Sequence, residues 1–216
     1  MDKYLFYLVV IVMMSFFACK EDIQNYLVIE ATNVENSRSD IVTVKAIIEN
    51  IKNLPDGEWY TGEDIIASAK YKKSGFKLYL PDTIPNEYLS FVSNCIGISE
   101  GTTISDTLAK MAFVDINAYN REGKKIGSFS LKRDTCCIPY VDIVNGVFVD
   151  SLKIDTFVAY FEFADRDFTI NTIFENGTER VISYKKGWNI SLLCGRTIKI
   201  TTYEELNEDF KWYYKY

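Results

Sequence analysis

The chain has 216 residues with 48% hydrophobic and 25% charged side chains, enough apolar material for a substantial core, and a formal net charge of −6. That charge is the wrong sign for a nucleic-acid partner or for adhesion to anionic lipid. Histidine is absent, which excludes Ser-His-Asp and Cys-His nucleophilic machinery and any His-ligated zinc, while leaving carboxylate enzymes such as glycosidases open.

The first twenty-two residues read as an address. Lys3 precedes an apolar run from Leu5 to Phe17, about 13 residues long, which suits a signal-peptide core and is too short to span a bilayer. The run ends at Phe16-Phe17-Ala18-Cys19. A small residue directly before a cysteine at this point resembles the lipobox of bacterial lipoproteins, and the resemblance implies cleavage before Cys19 and its lipidation. Lys20-Glu21-Asp22 resembles the acidic export signal of surface lipoproteins of the Bacteroides group, implying an outer-membrane anchor and a cell-surface location. The expected division is a signal peptide over 1–18, a lipidated linker over 19–40 with room for one strand near Tyr26–Ile29, and a β-sandwich domain over 41–216. A sub-division near 139–150 is the alternative.

From there β signals dominate, helped by 15% aromatic residues. Val42, Val44, Ala46 and Ile48 alternate with polar positions as a first strand, and Pro55-Asp56-Gly57 has turn chemistry. Ile65–Tyr71 and Gly75–Leu80 form a strand pair across Lys72-Lys73-Ser74, ended by Pro81. Lys110–Tyr119 and Lys125–Leu131 flank Asn120-Arg121-Glu122-Gly123 as the clearest hairpin. Its first strand puts Val114, Ile116 and Ala118 on one face and Phe113, Asp115, Asn117 and Tyr119 on the other, as a sheet with one buried face requires. A loop is expected around Cys136-Cys137-Ile138-Pro139. Thr156–Phe163, Phe168–Phe174, Arg180–Tyr184 and Trp188–Leu193 read as a meander, with a fifth strand over Arg196–Thr202. Thr202 and Glu205 have capping-box spacing, which predicts a short helix over Tyr203–Phe210.

The pattern implies an all-β, antiparallel β-sandwich with a C-terminal β-meander and one short C-terminal helix. Ile66-Ala67-Ser68-Ala69-Lys70-Tyr71, running through Gly75-Phe76-Lys77-Leu78 to Leu80-Pro81, and Tyr184-Lys185-Lys186-Gly187-Trp188-Asn189 resemble segments of Bacteroides-type lipoproteins. The first is also similar to the Ig-like or transthyretin-like type of sandwich. These motifs imply a fold and a location and carry no catalytic residues. Asp82-Thr83-Ile84, Asp106-Thr107-Leu108 and Asp150-Ser151-Leu152 resemble the acceptor for O-glycosylation in exported proteins of that group.

Once Cys19 is lipidated, Cys95, Cys136, Cys137 and Cys194 remain, an even number suited to an oxidising compartment. Two bridges from Cys136 and Cys137 to Cys95 and Cys194, one bridge with two thiols, or none are the alternatives. Nothing in the pattern asks for a cofactor or a resident metal. Asp165-Arg166-Asp167 reads mainly as a solvated turn, and Glu204, Glu205, Glu208 and Asp209 as a charged face. Trp59-Tyr60 beside a turn and Trp212 and Tyr214 near the C-terminus are candidate ligand-binding aromatics, since sugar rings stack on exposed Trp and Tyr. The C-terminal set reads first as a last strand docked on the sandwich, with Lys211 and Lys215 pointing outward, and second as a ligand platform. The expectation is a non-catalytic, lipid-anchored surface protein that binds a glycan or a protein partner. An accessory of a surface or pilus-like complex, using Phe210–Tyr216 as a pairing strand, is the alternative, and a carboxylate glycan hydrolase is a third.

Overall fold

The structure, a computed structural model, describes residues 26–53, 59–95, 101–144, 147–174, 177–194, 197–206 and 209–216, with the backbone alone at 49–53, 59–62, 134–144, 147–155 and 197. The signal segment, Cys19 and the Pro55-Asp56-Gly57 turn lie outside the described residues.

Among the described residues strands dominate and helix is scarce. In chain order they are β1 (Leu27–Ala31), β2 (Thr43–Asn53), β3 (Trp59–Lys70), β4 (Phe76–Leu80), β5 (Ser90–Phe91), β6 (Thr102–Ile104), β7 (Lys110–Tyr119), β8 (Lys125–Val144), β9 (Val147–Ala164), β10 (Phe168–Ile173), β11 (Glu179–Tyr184), β12 (Gly187–Cys194), β13 (Thr197–Thr201) and β14 (Lys211–Lys215). One four-residue helix, α1 (Val92–Cys95), follows β5. Among the described residues no helix is long and apolar enough to cross a membrane.

A nine-stranded sheet in the order β13-β12-β9-β8-β7-β2-β3, with β14 on β8 and β5 on β7, forms the body of the molecule. A β1–β4 ribbon covers one face, and a three-stranded sheet, β11-β10-β6, covers part of the other. The fold is therefore all-β, antiparallel and sandwich-like. The larger core lies under the ribbon: Ile29 and Ala31 of β1 and Phe76, Leu78 and Leu80 of β4 meet Val44, Ala46 and Ile48 of β2 and Val114, Ile116 and Ala118 of β7. Burying each valine, isoleucine, leucine or phenylalanine among them contributes about 1.5–3 kcal/mol. The smaller core joins Met111 and Ala164 to Phe168, Ile170 and Tyr184.

Several expectations change. The strand expected near Tyr26–Ile29 forms as β1, but the segment around it is more than a linker, since Ile29, Val34 and Ile41 belong to the large core. Residues 72–75 close a tight turn, with Lys72 and Gly75 exchanging hydrogen bonds of 2.9 and 3.0 Å, but β4 does not stay beside β3. It crosses to pair with β1, Leu78 opposite Ile29, which buries Phe76, Leu78 and Leu80 on one face. A Cβ on Gly75 would stand 2.3 Å from the Ala31 carbonyl oxygen, so only glycine lets the crossing pass this close. Cys136-Cys137-Ile138-Pro139 is strand and not loop: β8 runs on to Val144 against β9, with a register shift between Asp134 and Cys136. The meander is broken, because β9 pairs with β12 while β10 and β11 leave for the smaller sheet. The β7–β8 hairpin forms with its inward face as expected, yet Asn117 and Tyr119 on the other face are buried as well.

The expected helix over Tyr203–Phe210 is a turn in its described residues, closed by Leu206 N–H donating to the Tyr203 carbonyl at 3.2 Å. Its capping contact does form, since the Glu205 carboxylate accepts from Thr201 Oγ1 at 2.5 Å and from Thr202 N–H at 3.4 Å. The chain then has to reverse to bring Lys211 opposite Lys132 of β8, which leaves no length for helical turns.

Candidate functional site

β14 is the element that builds the site. It pairs antiparallel with β8, Trp212 opposite Leu131 and Tyr214 opposite Phe129. Its other edge is held by Glu35, whose N–H donates to the Trp212 carbonyl at 2.8 Å and whose carbonyl accepts from Tyr214 N–H at 2.9 Å. The segment reaches that edge through left-handed residues at Asn33 (φ 52) and Asn36 (φ 57), a conformation asparagine tolerates. A Cβ at Gly127 would lie 2.3 Å from the Lys215 carbonyl oxygen and 2.6 Å from the Tyr214 hydroxyl, so β14 docks only because β8 carries glycine there.

Alternation along β14 turns Trp212 and Tyr214 inward. Trp212 is 4% exposed, stacked parallel on Phe161 with centroids 5.9 Å apart and edge-on to Phe76 at 5.3 Å. Tyr214 donates to the Ile126 carbonyl at 2.5 Å and is a core residue. Trp212 is also a core residue, but its edge remains on the wall of a cavity of about 520 Å³. That cavity is closed by Tyr203, Leu206 and Phe210 on one side and by Glu30, Thr32, Asn33 and Glu35 on the other. The Arg133 guanidinium lies 5.2 Å over the Phe210 ring and 4.9 Å over Phe157, which holds Phe210 in place.

Tyr203 separates this cavity from a second of about 300 Å³, lined by Tyr26, Trp188, Asp82 and Glu204 among others. Its hydroxyl bonds twice to the free edge of β1, accepting from Glu30 N–H and donating to the Glu30 carbonyl, both at 3.2 Å. Burial raises its phenol pKa, so it stays a neutral donor. Glu205 beside it is held below the usual carboxylate range by the Thr201 hydroxyl and the Thr202 N–H, which fixes the turn. Trp188 is anchored by its indole N–H, donated to the Pro81 carbonyl at 2.8 Å, and by an edge-on contact with Phe163 at 5.4 Å. Trp188, Tyr203, Phe210 and Trp212 thus line two adjoining hollows, with Asp82, Glu204, Glu30 and Glu35 around them and Lys211 the one cation among the residues lining them.

Other sequence candidates fall elsewhere. Trp59 and Tyr60 begin β3, opposite Asn53 and Lys52, and their side chains lie outside the described residues. Cys136 and Cys137 stand in β8 opposite Asp155 and Ile154, their side chains likewise undescribed. Cys194 is buried on β12, and β9 runs between that strand and β8. The Cys95 thiol lies 3.8 Å from the Ser90 carbonyl, and burial pushes its pKa up to about 11, the direction opposite to a reactive thiolate. The Asp165 and Asp167 carboxylates are taken by the Lys110 N–H (2.9 Å), Arg166, the Lys186 N–H (2.8 Å) and Lys185.

Sequence reasoning missed Tyr203, Glu30 and Glu35 as site residues, and placed Trp188 at the start of a strand. Tyr203 was hidden inside a helix forecast, and Glu30 and Glu35 inside a linker. The signal that points to Tyr203 is the Thr202–Glu205 cap, which marks a fixed turn as well as it marks a helix start.

No family model matches this chain, and neither a curated protein nor a solved structure does.

Proposed function

We propose that the protein is a non-catalytic, lipid-anchored surface protein whose aromatic groove at Tyr203 binds an extracellular neutral glycan. The observation that carries the reading is the pair of hollows of about 520 and 300 Å³ that share Tyr203 as a wall, with Trp188 in one and Phe210 and Trp212 in the other. Aromatic walls of this kind accept the C–H faces of sugars, Trp212 adding an edge, while Thr32, Asn33 and the carboxylates supply acceptors and donors for hydroxyls. The acidic rim repels polyanions, so the ligand is neutral. Anchoring rests on the apolar run that stops at Ala18-Cys19.

Binding is favoured over hydrolysis because Glu30 and Glu35 are exposed, whereas a carboxyl that protonates a leaving group is held neutral by burial. It is favoured over strand-donating assembly because both edges of β14 are engaged, by β8 and by Glu35.

The test is calorimetric titration of the full-length chain with neutral oligosaccharides, beside Tyr203→Ala. Saturable binding that the substitution abolishes, with the β-sheet circular dichroism kept, supports the reading. Wild-type protein that binds none of them, or binding indifferent to Tyr203, overturns it. Metabolic labelling with palmitate, lost in Cys19→Ala, tests the anchor.

A further inference from the structure

On the face of the large sheet away from the ribbon, the registers align Lys45 of β2, Asn117 of β7, Ser128 of β8 and Lys215 of β14 in one row across four adjacent strands. Three strand spacings, about 14 Å, separate the two lysine backbones. Two residues beyond Ser128 stands Ser130, and two beyond that Lys132 lies directly opposite Lys211 of β14. Like charges directly opposite each other on a sheet are destabilising, and this chain is acidic overall, so a frame of four lysines calls for a reason.

Two buried groups lie inside the frame. Asn117 is 1% exposed and Ser130 is 9% exposed; Ser130 Oγ has no hydrogen-bond partner, and Asn117 Nδ2 makes no well-formed hydrogen bond, although it lies close enough to Tyr119 to lower that phenol's pKa. Buried polar atoms are ordinarily satisfied. Both of these can donate.

The sheet also splits here. β7 pairs with β8 from Ile116 onward and with β9 up to Val114, and β8 passes to β9 at Leu131. Asp115, Ser130 and Tyr160 therefore have no ladder partner across the junction, and a slot of about 110 Å³ opens among Asp115, Ser128, Ser130, Tyr160 and Lys215. Tyr160 is 45% exposed, and Phe113 is exposed beside it.

We infer that this face binds an acidic saccharide, its sulfate or carboxylate groups held by Lys45 and Lys215 and taking the unused hydrogen bonds of Asn117 and Ser130. Tyr160 offers a ring face to the sugar, and Asp115 accepts from its hydroxyls. The long lysine stems are the movable part that lets an oxyanion reach the buried donors. The exposed aromatic and the slot select a saccharide over a lipid headgroup, which needs neither.

The experiment titrates the full-length protein with a sulfated, uronate-containing hexasaccharide, with a neutral glucan hexasaccharide and with phosphatidylglycerol vesicles. The sulfated probe should bind in preference to the other two. Lys45→Gln/Lys215→Gln should weaken it about 30-fold, about a factor of five for each ammonium. Ser130→Ala should weaken it without changing its salt dependence, whereas Tyr203→Ala should leave it untouched, which separates this face from the groove. Equal loss in Lys185→Gln/Lys186→Gln, on the β11–β12 turn beyond the Met111 end of β7, would assign the binding to net charge and overturn the proposal. Vesicle binding tighter than that of the sulfated probe, or no preference for that probe over the glucan, would overturn it too.

Discussion

The groove and the lysine face are made from opposite sides of one strand. In Lys211-Trp212-Tyr213-Tyr214-Lys215 the even positions point into the large core and the odd ones away from it. Trp212 thereby reaches the groove wall while Lys215 joins Lys45 and Lys132 on the outer sheet, and Lys211, opposite Lys132, also lines the groove. The groove is aromatic and rimmed by acids drawn from residues 30–35, 82 and 203–212. The outer face is basic and assembled by strand register alone. Two surfaces of opposite charge can coexist on so small a domain because a sheet insulates its faces: period-2 alternation lets each strand contribute to both.

Breaking β14 should damage both regions at once. Trp212→Ala removes a side chain packed between Phe161 and Phe76 and should cost about 3–5 kcal/mol in urea unfolding, with the Lys211 and Lys215 frame lost as the strand frays. Gly127→Val attacks the same strand from β8, where the added atoms meet the Lys215 carbonyl. A loss of about 3 kcal/mol is expected, and amide exchange should accelerate along β14 before it does in β2.

Glu162, directly opposite Phe113 on β7, sharpens the comparison as a buried control outside the residues that line either region. It is 5% exposed on β9, opposite Asn189 of β12, with Tyr184 and Ser191 near its carboxyl. Burial raises its pKa in the fold. A raised folded-state value means that its contribution to stability is complete below the unfolded-state pKa and is lost as pH rises through the folded one. Glu162→Gln should therefore stabilise the protein at neutral pH, on the order of 1 kcal/mol, and flatten the pH dependence of the melting temperature above the ordinary glutamate pKa. Neither ligand titration should change.

The smallest effect is expected from Tyr203→Phe. It removes the two bonds to the Glu30 main chain and should cost about 0.5–1.5 kcal/mol. Neutral-glycan affinity should drop while the sulfated probe binds as before. A matching drop in both would show that the two surfaces are coupled through β14.

Much of the strand inventory was legible, and for a plain reason. Alternation at Val44-Ala46-Ile48 and at Val114-Ile116-Ala118 is a local property, and the Asn120–Gly123 turn, with Gly123 at φ 77, follows from local backbone preference. Partner choice was not legible. Nothing in Gly75–Leu80 says that its strand abandons β3 for β1, and nothing near Phe168 says that β10 and β11 leave the main sheet. Asn117 looked like an outward polar residue, and only the packing around it made it a buried donor without a well-formed hydrogen bond. Of the site, the docking of Trp212 and Tyr214 in the core was legible from their alternation with Lys211 and Lys215, but that Trp212 also shows the groove one edge was not.

By itself the sequence determined the all-β class, the hairpin at Asn120–Gly123 and the two-sided character of β14, because these depend on side-chain period and turn chemistry within a few residues. Which strands became neighbours, where the sheet splits at Asp115, Ser130 and Tyr160, and which residues share a hollow with Tyr203 were decided by the tertiary structure alone. Those outcomes depend on contacts between residues far apart in the chain, such as Glu30 with Tyr203 and Glu35 with Trp212. Their energies exist only once both partners have been carried together by the burial of the core.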